Sequence, residues 1–256
     1  MAKLDALLMP SAVAPSADTP FQALVDPKIR LHQTVKAISY WTKLAEKNDF
    51  EVLVADNTGF GAKILEVLPK STLKSKVLRV IDVPAISKED IIRGKGAGET
   101  STLIAGLEYL QLSDSAIVAK VNARYITTNG LFLIDEIENH FDFAAWPRPQ
   151  LDSVDTTFFA GNAGFLREAF QFVYEETDDL RERFVENLYA QVSIRNLSCK
   201  YVRFNYSPAI KGQSGTTGSK ASPFNEFRTV SVVVRFRKSI RKFFTFIKPG
   251  YQRGLR

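Results

Sequence analysis

Apolar residues along this chain fall in short buried-type runs that alternate with longer amphipathic stretches. Residues 4–9 (LDALLM) suit a short strand, and residues 10–20, rich in Pro, Ser and Ala, read as a loop. Asp26-Pro27 marks a helix start, because proline in the first turn lacks only an N–H that would have no helical partner. Ile29, Val35, Ile38 and Leu44 follow at roughly helical spacing and predict a helix through Lys47. Residues 51–55 (EVLVA) predict a buried strand ending in Asp56-Asn57-Thr58-Gly59, residues 61–68 a short helix, and residues 76–83 (KVLRVIDV) another strand. A glycine-rich loop, RGKGAGE at residues 93–99, then opens a helix over about residues 100–112, with Leu103, Leu107 and Leu110 on one face. Residues 116–121 (AIVAKV) form the next strand and lead into Asn122-Ala123-Arg124-Tyr125.

Strand and helix in this alternation predict an α/β protein with a mostly parallel central sheet and helices on both faces. In such sheets ligands bind at the carboxyl ends of the strands. Past residue 130 the pattern loosens. Residues 131–134 and 157–160 read as strands, 178–192 as an amphipathic helix and 201–206 as a strand. Residues 212–222 (GQSGTTGSKAS), poor in apolar side chains, read as a flexible linker or lid. No internal repeat is found.

At 256 residues, 45% hydrophobic and 24% charged, the chain can bury a large core without disulfides or metals. Its one cysteine, Cys199, excludes an internal disulfide and reads as a small apolar filler. With only His32 and His140 beside it, it makes neither a zinc site of the usual ligand count nor a well-supported thiol nucleophile. Low cysteine usage fits a reducing compartment. No apolar run reaches the roughly 18 residues of a membrane-crossing helix. Asp5 interrupts the N-terminal apolar stretch, which reads as strand and loop and not as a signal peptide.

The net charge of +6 is unevenly spread: residues 231–256 hold eight basic and no acidic residues, leaving 26 basic against 28 acidic in the remainder. Val232, Phe236, Ile240, Phe243, Phe244 and Ile247 form an apolar stripe at helical spacing, flanked by Arg235, Arg237, Lys238, Arg241 and Lys242. Such a segment predicts an amphipathic tail, residues 229–256, that lies on an anionic membrane surface and follows a body of residues 1–228. A nucleic-acid binder would more often spread its charge along a groove, so the near-neutral body argues against that class.

Three sites carry candidate chemistry. Asp56 and Asn57, at a strand end, suit a ribose or base, although Asn-Thr-Gly is also ordinary turn chemistry. Gly94, Lys95, Gly96, Gly98 and Glu99 offer backbone N–H groups and a helix start to an anion, although they match neither a Walker nor a clean dinucleotide pattern. Glu99 equally suits a first-turn carboxylate complementing the helix dipole. Lys120, Asn122 and Arg124 alternate on one face of a strand end, where two cations can neutralise a diphosphate or simply form salt bridges.

The segments DPKIR…ISYW, VADNTG, GKGAGE, KVNARYITTN and GQSGTTG, in this order, resemble small bacterial glycosyltransferases of surface-polysaccharide (lipopolysaccharide or capsule) gene clusters, of the glycosyltransferase-A type, over roughly residues 25–220. That resemblance implies a Rossmann-like body that binds a nucleotide sugar as substrate and transfers the sugar to a glycan or lipid-linked acceptor. It also implies a cytoplasmic enzyme, peripheral on the inner face of the plasma membrane. The family's Asp-x-Asp metal motif is absent after residues 116–121, where Lys-Val-Asn-Ala-Arg stands, so a metal-independent reaction without cofactor is expected. Transfer that inverts the anomeric carbon needs a base for the acceptor hydroxyl and positive charge on the departing diphosphate. Glu186 is the first candidate base, Asp155 the second and Glu99 the third; Lys120 and Arg124 suit the diphosphate. The rival classes are a non-catalytic nucleotide- or sugar-binding module and a nucleic-acid binder using the tail.

Overall fold

Ten strands and eight α-helices follow one another in the structure, a computed structural model that describes residues 3–135, 141–213 and 220–221. The basic tail and residues 214–219 of the glycine-rich loop lie outside the described residues. The first half runs β1 (Ala6–Ser11), α1 (Pro27–Asn48), β2 (Glu51–Asp56), α2 (Gly61–Val67), α3 (Lys70–Leu73), β3 (Leu78–Asp82), α4 (Lys88–Arg93), α5 (Lys95–Leu110) and β4 (Ile117–Val121). The second half runs β5 (Ile126–Thr127), α6 (Gly130–Asp135), β6 (Phe143–Ala145), β7 (Phe158–Asn162), α7 (Ala163–Glu176), a 3-10 turn at Asp179–Arg181, α8 (Val185–Ser193), β8 (Tyr201–Arg203), β9 (Ile210–Gln213) and β10 (Lys220–Ala221).

Seven strands make one sheet in the order β3-β2-β1-β4-β7-β6-β8. The first four are mutually parallel; β7 runs antiparallel to both β4 and β6, and β8 pairs parallel to β6. The mostly parallel, Rossmann-like α/β class expected from the sequence is therefore observed. A smaller sheet, β10-β9-β5, sits beside it.

Both faces of the central strands are covered, which is why β1 is apolar without alternation. Leu7 and Met9 of β1 and Val52 and Val54 of β2 pack with Ala37, Ile38, Trp41 and Ala45 of α1. Their neighbours Ala6, Leu8, Leu53 and Ala55 face the other way, onto Leu103 and Leu107 of α5 and Leu166 and Phe170 of α7. Asp26 starts α1 as expected: its carboxylate accepts from the backbone N–H of Lys28 and Ile29.

Several expectations need correction. The segment 131–134 is not a strand but lies in α6; a four-residue apolar run carries no period to decide between the two. Residues 178–192 are not one helix: Glu182 takes a left-handed φ of 58° and separates the 3-10 turn from α8. The glycine-rich residues 95–99 are not a loop but the first turns of α5. Gly212 and Gln213 belong to β9, so that part of the expected flexible loop is paired strand. Helix α7, capped by the Asn162 side chain on the Phe165 N–H, went unforeseen.

Candidate functional site

A cleft of about 220 Å³ opens beyond the C-terminal ends of β1, β2 and β4. Its walls bring together Asn57, Gly94, Lys95, Gly96, Gly98, Glu99, Asn122, Arg124 and Glu186, most of the residues singled out in the sequence. Asp56, Lys120 and Asp155 are not among its lining residues.

Asp56 is fully buried and its carboxylate is spent on its own turn. One oxygen accepts from Ser11 Oγ at 2.7 Å and the Val13 N–H at 3.3 Å; the other accepts from the Thr58 N–H at 2.8 Å, Thr58 Oγ1 at 2.6 Å and the Phe60 N–H at 3.2 Å. It ties the segment after β1 to the end of β2 and has no room to hold a ribose. Asn57 does reach the cleft. Its Nδ2 donates to Thr102 Oγ1 at 2.6 Å and to the Gly98 carbonyl at 3.4 Å, while its buried Oδ1 has no partner.

The glycines at the start of α5 serve a contact within the chain. Gly94 has φ +114°, a conformation that other residues rarely adopt, and a Cβ there would run into the Asp179 carboxylate. A Cβ on Gly96 would lie 2.8 Å from both Thr177 Cγ2 and Val185 Cγ1. The Gly96 N–H donates to Asp179 Oδ2 at 3.2 Å. The anion at this helix start is thus a side chain of the protein. Burial pushes the Asp179 carboxyl above its ordinary range and Glu186 adds to that, against the opposing pull of the Gly96 N–H and Lys95.

Lys120 sits on β4 with its side chain 1% exposed. Its ammonium donates to Glu99 Oε1, to Asn122 Oδ1 at 2.8 Å and to the Thr156 carbonyl at 2.6 Å. Asn122 Nδ2 donates to Glu99 Oε2 at 2.7 Å and completes the network. The diphosphate role expected of Lys120 does not fit this placement, because its charge is compensated beneath the cleft. Burial of Glu99 disfavours its charged form, but Lys120, with Lys95 and Asn122, outweighs this and holds the carboxyl below its ordinary range. A carboxylate so stabilised is a weak base, so Glu99 recedes as the third candidate.

The cationic wall is Arg124 with a residue that sequence reasoning missed, Arg30 of α1. Arg30 is 4% exposed; its Nε donates to the Ala12 carbonyl at 2.6 Å and its Nη1 to the Leu24 carbonyl at 2.8 Å. Arg124 donates to the Gln213 carbonyl at 2.9 Å, which ties β9 to the cleft, and stacks over Tyr125. Neither arginine forms a salt bridge among the described residues, and both line the cleft. Burial and then the neighbouring Arg124 charge push the Arg30 pKa down to about 9. A signal existed: counting back from Trp41 and Ala37 in helical steps reaches Thr34 and Arg30 on the buried side of α1.

Glu186 lies in the first turn of α8 and accepts from Thr156 Oγ1 at 3.3 Å. Asp155, the second candidate base, turns away: its Oδ1 accepts from the Thr157 N–H at 2.8 Å and from Thr157 Oγ1. Among the described residues, no group of three or more His, Cys, Asp or Glu is arranged to hold a metal ion, and no helix is long and apolar enough to cross a membrane.

Fold and cleft define a Rossmann-like α/β protein whose cleft is lined by Arg30, Arg124 and Lys95 together with Glu99 and Glu186. No protein-family profile and no curated protein sequence matches the chain. Similar solved structures include an active-site mutant of LgtC, at 11% identity over 78% of this chain and 74% of that one, with a TM-score of 0.46. Galactosyltransferase LgtC in complex with donor and acceptor sugar analogues is similar at 11% identity over 77% and 72% of the two chains, with a TM-score of 0.45. The apo-form glycosyltransferase GlyE of Streptococcus pneumoniae TIGR4 is 10% identical, covering 93% of this chain and 64% of that one, with a TM-score of 0.48.

Proposed function

We propose that this chain is a glycosyltransferase that moves a sugar from a nucleotide-activated donor to a glycan or lipid-linked acceptor. The observation that carries this is the charge layout of the cleft. Arg30 and Arg124, without carboxylate partners in any described salt bridge, share one cavity with the Glu186 carboxylate. Two guanidiniums suit a diphosphate, since each can offer parallel N–H donors to phosphate oxygens.

In this reaction the acceptor hydroxyl gives its proton to Glu186 and its oxygen bonds to the anomeric carbon. The bond from that carbon to the diphosphate oxygen breaks, and its electron pair leaves with the nucleoside diphosphate. Arg30 and Arg124 stabilise the charge that develops there. Lys120 contacts no substrate; it fixes Glu99 and Asn122 and so shapes the floor. The end of β4 and the residues just after it, Lys120 to Arg124, carry no Asp-x-Asp pair, which supports a reaction that runs without a divalent metal. The tail, with eight basic and no acidic residues from 231 to 256, would hold the enzyme on the anionic inner leaflet of the plasma membrane, close to a lipid-linked acceptor.

Calorimetric titration with a panel of nucleotide sugars, in the presence of chelator, tests the proposal. At least one should bind in the micromolar range, and the Arg124→Ala variant should bind it at least tenfold more weakly. Failure of the whole panel to bind, with and without magnesium or manganese, overturns it.

A further inference from the structure

The near-neutral charge of the body hides a polarity. Lys36, Lys43 and Lys47 recur seven and four residues apart on α1, which puts them on one stripe of that helix. Thr72 Oγ1 of α3 donates to Ser39 Oγ of α1 at 3.5 Å, between Lys36 and Lys43. Lys70, Lys74 and Lys76, in α3 and just after it, therefore continue the basic stripe. All six lysines are exposed, and none forms an ion pair among the described residues. The carboxylates of this stretch do not compensate them. Asp49 pairs with Lys3, Glu51 with Arg79 and Glu66 with Lys63, while Asp56 is buried in its own turn.

Aliphatic side chains stand among these charges. Ile29, seven residues before Lys36 on the same stripe, is exposed, as are Leu65 and Val67 of α2 and Leu73 of α3, each by at least 38%. Helices α2 and α3 both pack on α1. A single exposed apolar residue is ordinary. Four of them within a field of unpaired lysines have the composition of a surface that rests in a lipid headgroup layer. Lysine, a compact charge on a flexible stem, suits a diffuse anionic surface, whereas one bound phosphate favours the planar fork of arginine. The face is the outer side of a 22-residue helix, about 33 Å long, and not a groove. Its exposed large apolar residues are aliphatic, whereas single-stranded nucleic acid stacks on aromatic rings.

We infer that the outer face of α1 and α3 is a second membrane contact, which lays this side of the body on anionic lipid once the basic tail has anchored the chain. This inference rests on the peripheral membrane location proposed above. The face offers no exposed aromatic side chain to insert, so it does not hold the chain by itself. Tethering by the tail raises its effective concentration at the surface and lets it dock. The docked orientation serves the reaction. Helix α1 begins at the cleft, where Arg30 turns inward one residue after the exposed Ile29. A bilayer along α1 thus reaches the cleft mouth, where a lipid-linked acceptor enters.

Lysine acetylation of the unaltered full chain reads the face directly. The chain is bound to vesicles of phosphatidylglycerol and phosphatidylcholine in equal parts, with binding followed by sedimentation. Lys36, Lys43, Lys47, Lys70 and Lys74 should then react severalfold more slowly than in solution, while Lys88 and Lys200, exposed elsewhere, keep their solution rates. Replacing the same five lysines by Gln should weaken partition onto these vesicles about tenfold or more and leave nucleotide binding unchanged. A vesicle-bound chain whose five lysines react at their solution rates overturns the inference and leaves the tail anchor standing. A chain that does not bind the vesicles at all overturns the membrane location itself. Tighter binding to a single-stranded oligonucleotide than to vesicles, lost on the same five substitutions, assigns the face to nucleic acid and likewise overturns the inference.

Discussion

The Gly96 amide donates to the Asp179 carboxylate at 3.2 Å, so the N-terminus of α5 is closed by a residue 83 positions further along the chain. The glycine-rich run thus serves a contact inside the protein. Gly96→Ala is expected to lose about 1–3 kcal/mol of stability through the clash with Thr177 and Val185. The folded fraction should keep its affinity for nucleoside diphosphate. Urea unfolding and calorimetry on the same preparation check this. A fully stable variant that no longer binds nucleotide would return these glycines to a phosphate role.

The buried pair Lys120–Glu99 gives a second prediction. Lys120→Met leaves the Glu99 carboxylate, 17% exposed, without its cation and should cost about 3–5 kcal/mol. Adding Glu99→Gln should recover most of that loss. A double-mutant cycle by urea unfolding measures it, and additive single effects would show that the pair is not coupled.

Stability should also depend on pH in two opposite ways. Glu99 has a folded pKa below its ordinary 4.5, so its contribution is present above 4.5 and is lost as pH falls through the lower folded value. Asp179 has a folded pKa above its ordinary 3.8, so its contribution is present below 3.8 and is lost as pH rises through the raised value. In melting curves across the acid range, Glu99→Gln should flatten the loss on the acid side, and Asp179→Asn should flatten the decline above pH 3.8. Superimposable pH profiles for the wild type and both variants would contradict these assignments.

Much of the fold was legible because the buried strands are contiguous apolar runs and because Asp26-Pro27 announces α1. Helix α7 shows the opposite case. It begins directly where β7 ends, at Asn162, with no connecting residues between strand and helix, although Gly161 and Gly164 flank the change and Leu166, Ala169, Phe170 and Val173 keep helical spacing. At the site, Asn57 and Arg124 reach the cleft as expected of strand ends, and Glu186 reaches it from helix α8, whereas Asp56 and Asp155 do not. Both of those aspartates stand two residues before a threonine and accept its N–H at 2.8 Å. That Asp-x-Thr turn is local and could have been read. The fate of Lys120 could not, since its partners Glu99 and Thr156 are fixed only by tertiary packing.

The tail carries a prediction of its own. Replacing Arg235, Arg237, Lys238, Arg241 and Lys242 by Gln in the full chain should abolish binding to vesicles rich in anionic lipid and leave nucleotide binding intact. At about 1 kcal/mol per cation near such a surface, the five together dominate the attraction. The wild type should release from vesicles as salt rises. Vesicle binding unchanged by the five substitutions would place the anchor elsewhere.

The central claim is that Glu186 takes the acceptor proton while the arginines hold the leaving diphosphate. Steady-state release of nucleoside diphosphate, measured with the donor that binds tightest, wild type against Glu186→Gln, tests it most directly. The account predicts that kcat falls by about 10²–10⁴ while the donor Kd stays close to that of the wild type. A Glu186→Gln enzyme that turns over at the wild-type rate would contradict it.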